Sequence, residues 1–155
     1  MRDTMLTKPT QQVTDLVNFL KGELGIAEPT AVDVTFVDEE VMEELHMRYM
    51  GLPGPTDVLS FPATDVVNGP LDPQGLQDEP TLGDIVICPD FIESNTQSEP
   101  TQMNIDACVI HGMLHLIGHD HGDARSRTAM NDQEIQLANH WRIVRIGNTV
   151  QSAKA

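Results

Sequence analysis

The feature that most constrains the fold of this chain is a segment, residues 104–117, that would be apolar on almost every side of a helix. Its apolar residues are Ile105, Cys108, Val109, Ile110, Met113, Leu114, Leu116 and Ile117. A helix of this kind is buried in a protein core, so the rest of the chain must supply the elements that surround it. The same segment nevertheless carries two histidines, His111 and His115.

The two histidines predict a metal site. They lie four residues apart, which places both imidazoles on one face of a helix. Gly118 is expected to end this helix in a left-handed conformation, and the returning chain then brings His121 toward the same point. Three imidazoles suit a tetrahedral Zn²⁺ of the catalytic type. We therefore predict one Zn²⁺ per chain, held by His111, His115 and His121, although imidazoles also suit other divalent transition metals.

Two alternatives to this ligand set stay open. His111 and His115 could instead hydrogen-bond to backbone carbonyls or carboxylates, which is the better explanation for a single histidine than for this group. His119 competes with His121 as the third ligand, but Gly118 is expected to break the helix before it. If His121 is the ligand, His119 or Asp120 is expected to support the ligands of the ion or to face the substrate, and the alternative is a solvated loop.

The spacing H-x-x-x-H-x-x-G-x-x-H is that of the metzincin proteases. Those enzymes carry a glutamate directly after the first histidine, where it acts as general base. Gly112 occupies this position here. Ordinary zinc-protease chemistry is therefore disfavoured, and a metallopeptidase or amidohydrolase stays a minor alternative.

The rest of the chain alternates between short helices and strands. Apolar periodicity and capping residues predict helices at residues 13–24, 38–51, 90–96 and 126–144, and strands at 32–36, 55–62 and 84–88. Flanking prolines make 55–62 a short or edge strand, whereas 84–88 is nearly all apolar and predicts an interior strand. The strands are too unevenly spaced for repeated βαβ units. The predicted class is α+β: a small mixed β-sheet with several helices packed on it, including a zincin-like metal-binding helix.

Length and charge set further limits. A chain of 155 residues fits one domain, which we place at 1–146 and follow with a disordered tail at 147–155. The polar segment 63–81 is predicted to be a mobile surface flap or variable filler. The net charge of −15 argues against broad adhesion to nucleic acid or anionic membranes. No Lys or Arg occurs between Tyr49 and Ala124, so a bound cation would be the main positive charge in that stretch.

The chain is expected to be cytoplasmic and without a membrane partner. It shows no secretory signal and no apolar run near the ~20 residues that span a bilayer. Cys88 and Cys108 lie in apolar runs and predict buried free thiols, with a disulfide or a thiolate ligand as the alternative. His46 and His140 have no ligand-like company and are predicted to be surface or structural residues.

Three motifs resemble the YbeY family of bacterial endoribonucleases: GPTDVLSFP at 54–62, LGDIVICPD at 82–90 and HGMLHLIGHDH at 111–121. Met130, Glu134 and Leu137 agree with the family as well, and the resemblance covers about residues 31–140. It implies a zinc-binding α+β fold and a single-strand-specific metal-dependent endoribonuclease. The implied substrate is rRNA in a ribosomal particle, with roles in 16S rRNA 3′-end maturation and ribosome quality control. The alternative is a non-catalytic zinc-containing ribosome assembly factor.

The sequence departs from the family at one position. The family has Tyr-Arg-Gly before PTDVLSFP, and its arginine is regarded as functionally important, but here these residues are Tyr49, Met50 and Gly51. Arg48 lies two residues before Met50 and, on a helix, points about 200° away from it. Arg48 is the candidate catalytic replacement, and the alternative is an ordinary solvated helix charge.

The general base and the partners are less constrained. Asp84, Asp120 and His119 are candidates for the base, and a cut that leaves a 2′,3′-cyclic phosphate is also compatible with the sequence. Each phosphate contact normally draws on Lys or Arg, and this chain has only nine of them. We therefore expect a ribosomal or assembly-factor protein to supply part of the RNA binding.

Overall fold

The computed structural model of the chain describes residues 6–7, 10–28, 30–63, 81–95, 101–118 and 123–154, and only the backbone of 6–7 and 146–154. Most of the predicted flap and the residues His119, Asp120 and His121 lie outside this part. Along the chain the elements are β1 (Leu6–Thr7), α1 (Gln11–Glu23), β2 (Ala31–Val37), α2 (Glu39–Met50), β3 (Val58–Pro62), β4 (Thr81–Ile87), α3 (Pro89–Asn95), α4 (Thr101–Leu116) and α5 (Ala124–Lys154).

The helix ends follow the local signals in the sequence. The Asp38 carboxylate accepts a hydrogen bond from the backbone N–H of Val41 at 2.9 Å and so begins α2. Gly51, with φ of +69°, ends the same helix. Leu116 is the last residue of α4, and Gly118 has φ of +108°. The predicted positions of these two helices are confirmed.

The four strands form one mixed sheet in the order β1-β2-β4-β3. β2 pairs with β4 in parallel, whereas β1–β2 and β3–β4 are antiparallel pairs. The interior place of β4 and the edge place of β3 confirm the predictions from their apolar run and their prolines. β1 was not predicted, because two residues are too few to carry a period-two pattern.

Helices cover both faces of the sheet. Ile85 and Ile87 of β4 belong to a core cluster with α1, α4 and α5. Val86 and Cys88 belong to a second cluster with Met42 and Leu45 of α2. Because side chains alternate along a strand, α2 and α4 lie on opposite faces. The arrangement confirms the α+β class.

α4 is the central helix, since it contacts β3, β4, α1, α3 and α5. The prediction that it is buried on almost every side holds except along one stripe. Met103 and Ala107 are exposed, and His111 and His115 are partly exposed. These residues recur every fourth position, so they form a single open face of the helix.

Asp106 of α4 ties the helical layer together. Its buried carboxylate accepts hydrogen bonds from Gln102 Nε2 (2.9 Å), Gln12 Nε2 (3.1 Å) and Trp141 Nε1 (3.3 Å). Arg145 Nη1 lies 3.8 Å from the same group. One carboxylate thus joins α1, α4 and α5.

α5 is longer than the sequence indicates. Its backbone is helical to Lys154, beyond the expected end near residue 144, because no proline interrupts the segment and one glycine costs a helix only about 1 kcal/mol. The domain limit at 146 and the disordered tail at 147–155 stay predictions. Met130, Leu137 and Trp141 face the core as predicted. Among the described residues, none of the helices is both long and apolar enough to cross a membrane.

Candidate metal centre

The open face of α4 brings two imidazoles together. The Nε2 atoms of His111 and His115 lie 3.0 Å apart, and the ring centroids are 4.6 Å apart with the rings steeply inclined to each other. The i, i+4 spacing on a regular helix produces this geometry. The predicted convergence of the two side chains is confirmed.

Glu134 of α5 fixes the orientation of the first ring. The Nδ1–H group of His111 donates a hydrogen bond to Glu134 Oε1 at 2.7 Å. A carboxylate accepts this bond, so the proton sits on Nδ1 and the lone pair of Nε2 faces His115. A carboxylate on the second ring nitrogen is the usual companion of a histidine that binds a metal.

The donor set fits a transition metal. Two nitrogen ligands of a tetrahedral zinc ion lie ~3.3 Å apart, given Zn–N bonds of about 2.0–2.1 Å. The observed separation is close to this value, although a hydrogen bond between the two rings has a similar length. Within the described part of the chain, no third His, Cys, Asp or Glu completes a metal-binding group. His121, the predicted third ligand, lies outside that part, so the three-histidine set stays a prediction.

Gly112 packs tightly against the sheet. A Cβ atom at this position would lie 3.0 Å from Ile85 Cγ2 and 3.1 Å from Ser60 Oγ. The position therefore faces β3 and β4, and a side chain there would press on Ile85 and Ser60.

A cleft of about 390 Å³ opens beside His111. It lies between the start of β3, α3 and α4, with α5 at one end. Its polar side chains include those of Asp57, Asn95, Asn104 and Glu134. No Lys or Arg lines it, so the only fixed charges among its described lining residues are the two carboxylates.

The remaining walls of the cleft are apolar. They are formed by Val58, Phe91, Ile92, Ala107 and Cys108. Burial, and after it the nearby charge of Asp57, raises the pKa of the Cys108 thiol to about 12. Cys108 and Cys88 are both buried and free, which confirms the prediction of buried thiols and excludes a disulfide between them. The protonated Cys108 thiol thus behaves as part of the apolar wall at neutral pH.

Asp57, the residue directly before β3, is held in place by hydrogen bonds. Its Oδ1 atom accepts the backbone N–H of Val58 at 2.8 Å, and its carbonyl accepts the backbone N–H of Cys88 at 2.9 Å. Its Oδ2 atom lies 3.8 Å from Cys108 Sγ. The carboxylate is therefore anchored on one oxygen and faces the cleft with the other.

Arg48 lies apart from the cleft. It belongs to α2, on the other face of the sheet, and its guanidinium lies 3.5 Å from Glu44 Oε1 with 63% of the side chain exposed. The structure does not place it among the residues that line the cleft. Its catalytic role stays a prediction.

Asp84, a candidate general base, and the two histidines outside the metal motif also lie away from the cleft. Asp84 of β4 alternates with Ile85, so it lies on the face of the sheet that α2 covers, away from His111. His46 Nδ1 donates to the carbonyl of Gly54 at 2.8 Å, and His140 Nδ1 donates to Glu23 Oε1 at 2.6 Å. These two histidines are structural, as predicted.

Glu134 and Asp57 are site residues that were not predicted from the sequence. Glu134 does carry a signal, because it is a carboxylate on the same helical face as Met130, Leu137 and Trp141, which are buried. A charge on a core-facing stripe indicates a buried partner. Asp57 carries no such local signal, since its place depends on the pairing of β3 with β4.

The chain matches known proteins over most of its length. The sequence model of the family described as Endoribonuclease YbeY matches residues 2–142. A relative named Endoribonuclease YbeY from Streptomyces griseus is 34% identical over 140 residues, which cover 85% of this chain and 82% of the relative. A relative of the same name from Nocardia farcinica is 32% identical, with 86% and 73% covered.

A solved structure shows the same fold. The solution structure of TM1509 from Thermotoga maritima has a TM-score of 0.61 and 26% identity, and the match covers 92% of this chain and 89% of that one. The resemblance recognised in the three motifs is thus confirmed over most of the chain. The chain belongs to the Endoribonuclease YbeY family.

Proposed function

We propose that this chain is a zinc-dependent endoribonuclease that cleaves single-stranded ribosomal RNA in the cytoplasm, in the late maturation of the 16S rRNA 3′ end and in ribosome quality control. Membership of the family supports the RNA-cleaving activity, since the relatives are named endoribonucleases. The observation that carries the metal dependence is the pair of Nε2 atoms, 3.0 Å apart, with Nδ1 of His111 held by Glu134.

In this proposal His111, His115 and His121 hold one Zn²⁺ or another divalent transition metal. When bound, the ion supplies positive charge that offsets the charge developing on the phosphate. That contribution matters here because residues 50–123 contain no Lys or Arg. Glu134 keeps the ring of His111 in the tautomer and orientation that ligation requires.

The decisive experiment replaces His115 by Ala. We expect the variant to lose zinc and, in a strain without the wild-type gene, to accumulate 16S rRNA with unprocessed 3′ ends. Metal content is measured on the purified protein and the RNA ends are mapped by sequencing. His140→Ala is the control, because this histidine hydrogen-bonds to Glu23 and lies outside the cleft. Normal RNA ends in a variant without metal would contradict the proposal.

Arg48 is proposed to contact a phosphate of the RNA. An exposed i, i+4 ion pair contributes only about 0.3–0.5 kcal/mol, so the guanidinium can readily leave Glu44 for a phosphate. We expect Arg48→Ala to lower the cleavage rate about ten-fold or more, whereas Arg142→Ala, at an exposed position of α5, leaves it unchanged. Equal rates for the two variants would assign Arg48 to the solvated surface.

The acidic surface suggests that the enzyme needs a partner protein to bind RNA. A chain of net charge −15 repels naked RNA, and the repulsion is screened by salt. We propose that a ribosomal or assembly-factor protein supplies part of the binding. Efficient cleavage of protein-free RNA by the purified chain at physiological salt would refute this part.

The two alternatives make different demands on the site. A metallopeptidase of the metzincin type needs a glutamate at the position of Gly112, where a Cβ atom would already lie 3.0 Å from Ile85 Cγ2. A non-catalytic zinc-containing assembly factor needs a fourth protein ligand on the ion. A crystal structure of the zinc-loaded protein shows whether the fourth ligand is a protein atom or a water, and so separates a closed site from an open one.

A further inference from the structure

We infer that the cleft beside His111 binds one unpaired nucleobase of the RNA strand, stacked against Phe91, with an amino group of the base donating to Asp57. The inference rests on the proposed nuclease function and adds to it a base-specific subsite. Four observations on the cleft carry it, and they concern its position, its charge, its aromatic wall and its carboxylate.

The cleft continues the open face of α4 away from the histidine pair. Asn104, Ala107, Cys108 and His111 line it: Ala107 and His111 belong to the open face, and Asn104 and Cys108 to the neighbouring row of the helix. A strand that places a phosphate at the imidazoles therefore has its neighbouring nucleoside next to the cleft. The volume of about 390 Å³ is within the usual range for sites of small organic ligands.

The charge of the cleft selects which part of a nucleotide enters. Asp57 and Glu134 line it, and no cationic side chain does. A phosphate or an acidic side chain would be repelled by the two carboxylates. A neutral nucleobase is not, so the base occupies the cleft and the phosphates stay outside it.

Phe91 and the side-chain amides of Asn95 and Asn104 provide the groups that bind a base. Phe91 is half-buried against the second core cluster, which holds its ring in place. Single-stranded RNA is commonly bound by stacking bases on such rings. Asn95 donates one amide N–H to the carbonyl of Phe91 at 2.8 Å, which leaves further hydrogen-bonding capacity on an exposed amide.

Asp57 gives the subsite a preference. A carboxylate has about four acceptor positions. Asp57 Oδ1 accepts from the N–H of Val58 at 2.8 Å and the hydroxyl of Thr56 at 3.3 Å, and Oδ2 accepts a weak hydrogen bond from the Cys108 thiol at 3.8 Å. The position that remains on Oδ2 accepts an N–H group and donates none. Adenine, cytosine and guanine carry an exocyclic amino group, whereas uracil has only carbonyl oxygens at the equivalent positions. Uracil is therefore the base that fits least well.

The methyl group of Ala107 reports on the cleft directly, since this exposed residue lines it. The full chain is labelled with ¹³C-methyl alanine, loaded with zinc and titrated with AMP, CMP, GMP, UMP and ribose 5-phosphate. We expect AMP, CMP and GMP to shift the Ala107 signal, UMP to bind about ten-fold more weakly, and ribose 5-phosphate to leave the signal unchanged. Ala138, which packs against the core on α5, serves as the reference signal.

Variants separate stacking from general loss of packing. Phe91→Leu keeps an apolar side chain but removes the aromatic face, and we expect at least five-fold weaker nucleotide binding. Phe19→Leu is the matched control, since Phe19 is also half-buried and lines a different groove on α1. Asp57→Asn still accepts the bond from Val58 but can also donate. In this variant UMP is expected to bind as well as CMP.

Three results would overturn the inference. The first is a shift of Ala107 by ribose 5-phosphate as large as that by the nucleotides. The second is equal binding of nucleotides to the Phe91→Leu and Phe19→Leu variants. The third is an equal shift by N-acetylphenylalanine amide, which would make the cleft a general apolar site. UMP binding equal to CMP in the wild type would overturn the role of Asp57.

The outcome is distinguishable from failure of the proposed function. If the wild type cleaves RNA but the nucleotides cause no base-dependent shifts, the base subsite is refuted and the nuclease function stands. If base-dependent shifts occur in a protein that never cleaves RNA, the nuclease function is refuted and the subsite stands. The His115→Ala variant tests the nuclease function and the base subsite separately, because it is expected to lose RNA cleavage while nucleotides still shift the Ala107 signal.

Discussion

Glu134 reaches from α5 to α4 and holds Nδ1 of His111 at 2.7 Å, which couples the last helix to the candidate metal centre. Replacing it by Ala should weaken zinc binding by about 10–100-fold, because the ring of His111 loses its fixed orientation and part of its basicity. Glu23→Ala is the control, since Glu23 makes the same contact with His140 elsewhere. Competition with a chromophoric chelator measures both affinities. Equal affinities would show that the Glu134 contact is only structural.

The two thiols give a second prediction at the scale of single residues. Burial raises the pKa of both Cys88 and Cys108, to about 12 for Cys108. Both should resist Ellman's reagent in the native protein at pH 8 and react fully after unfolding. Because the unfolded chain loses these protons near pH 9 and the folded chain keeps them, the stability of the fold falls as the pH rises from about 9 toward 12. Rapid reaction of either native thiol would contradict the burial.

At the scale of elements, the close contact of α4 with the sheet makes Gly112 sensitive to any side chain. Gly112→Ala places a methyl group about 3 Å from Ile85 and Ser60, and overpacking of this kind destabilises a protein by about 1–3 kcal/mol. Gly22→Ala is the control, because nothing lies within 4 Å of the added atom and the helix gains about 0.5–1 kcal/mol. Urea unfolding compares the two. A destabilised Gly22→Ala variant would be the unexpected result.

The sequence predicts those elements whose signals are local. α2 is bounded by its own caps, Asp38 and Gly51, and α4 by its continuous apolar run. The His111–His115 pair follows from helix geometry alone. In contrast, the order of the strands and the contact with Glu134, 23 residues from His111 in sequence, depend on packing between distant segments. A local pattern can indicate that Glu134 has a buried partner, but not which residue that partner is, so the cleft became visible only in the fold.

At the scale of the whole molecule, Asp106 joins three helices through one buried carboxylate. Asp106→Asn keeps the size and shape of the side chain but removes its charge. It also places an amide NH₂ group against the N–H donors that now bind the carboxylate. Hydrogen bonds to a charged group contribute about 1.5–3 kcal/mol, so a loss of that size in the free energy of unfolding is expected. Asp15→Asn, on the exposed face of α1, is the control and should change stability by less than about 0.5 kcal/mol. Denaturant unfolding monitored by Trp141 fluorescence measures both, and equal stabilities would contradict the role of Asp106.

The strand order has a consequence for how the chain reaches its fold. β4 is the last strand in the sequence but lies between β2 and β3, and Thr81 contacts Ala31 across 50 residues. Until β4 has been synthesised, β2 and β3 lack the strand that joins them into one sheet, and each leaves unpaired the edge that β4 later occupies. Contacts that join such distant segments slow folding. A nascent chain that ends before residue 81 therefore lacks β4 and cannot form the complete sheet. More than half of the protein must be synthesised before the fold can be completed.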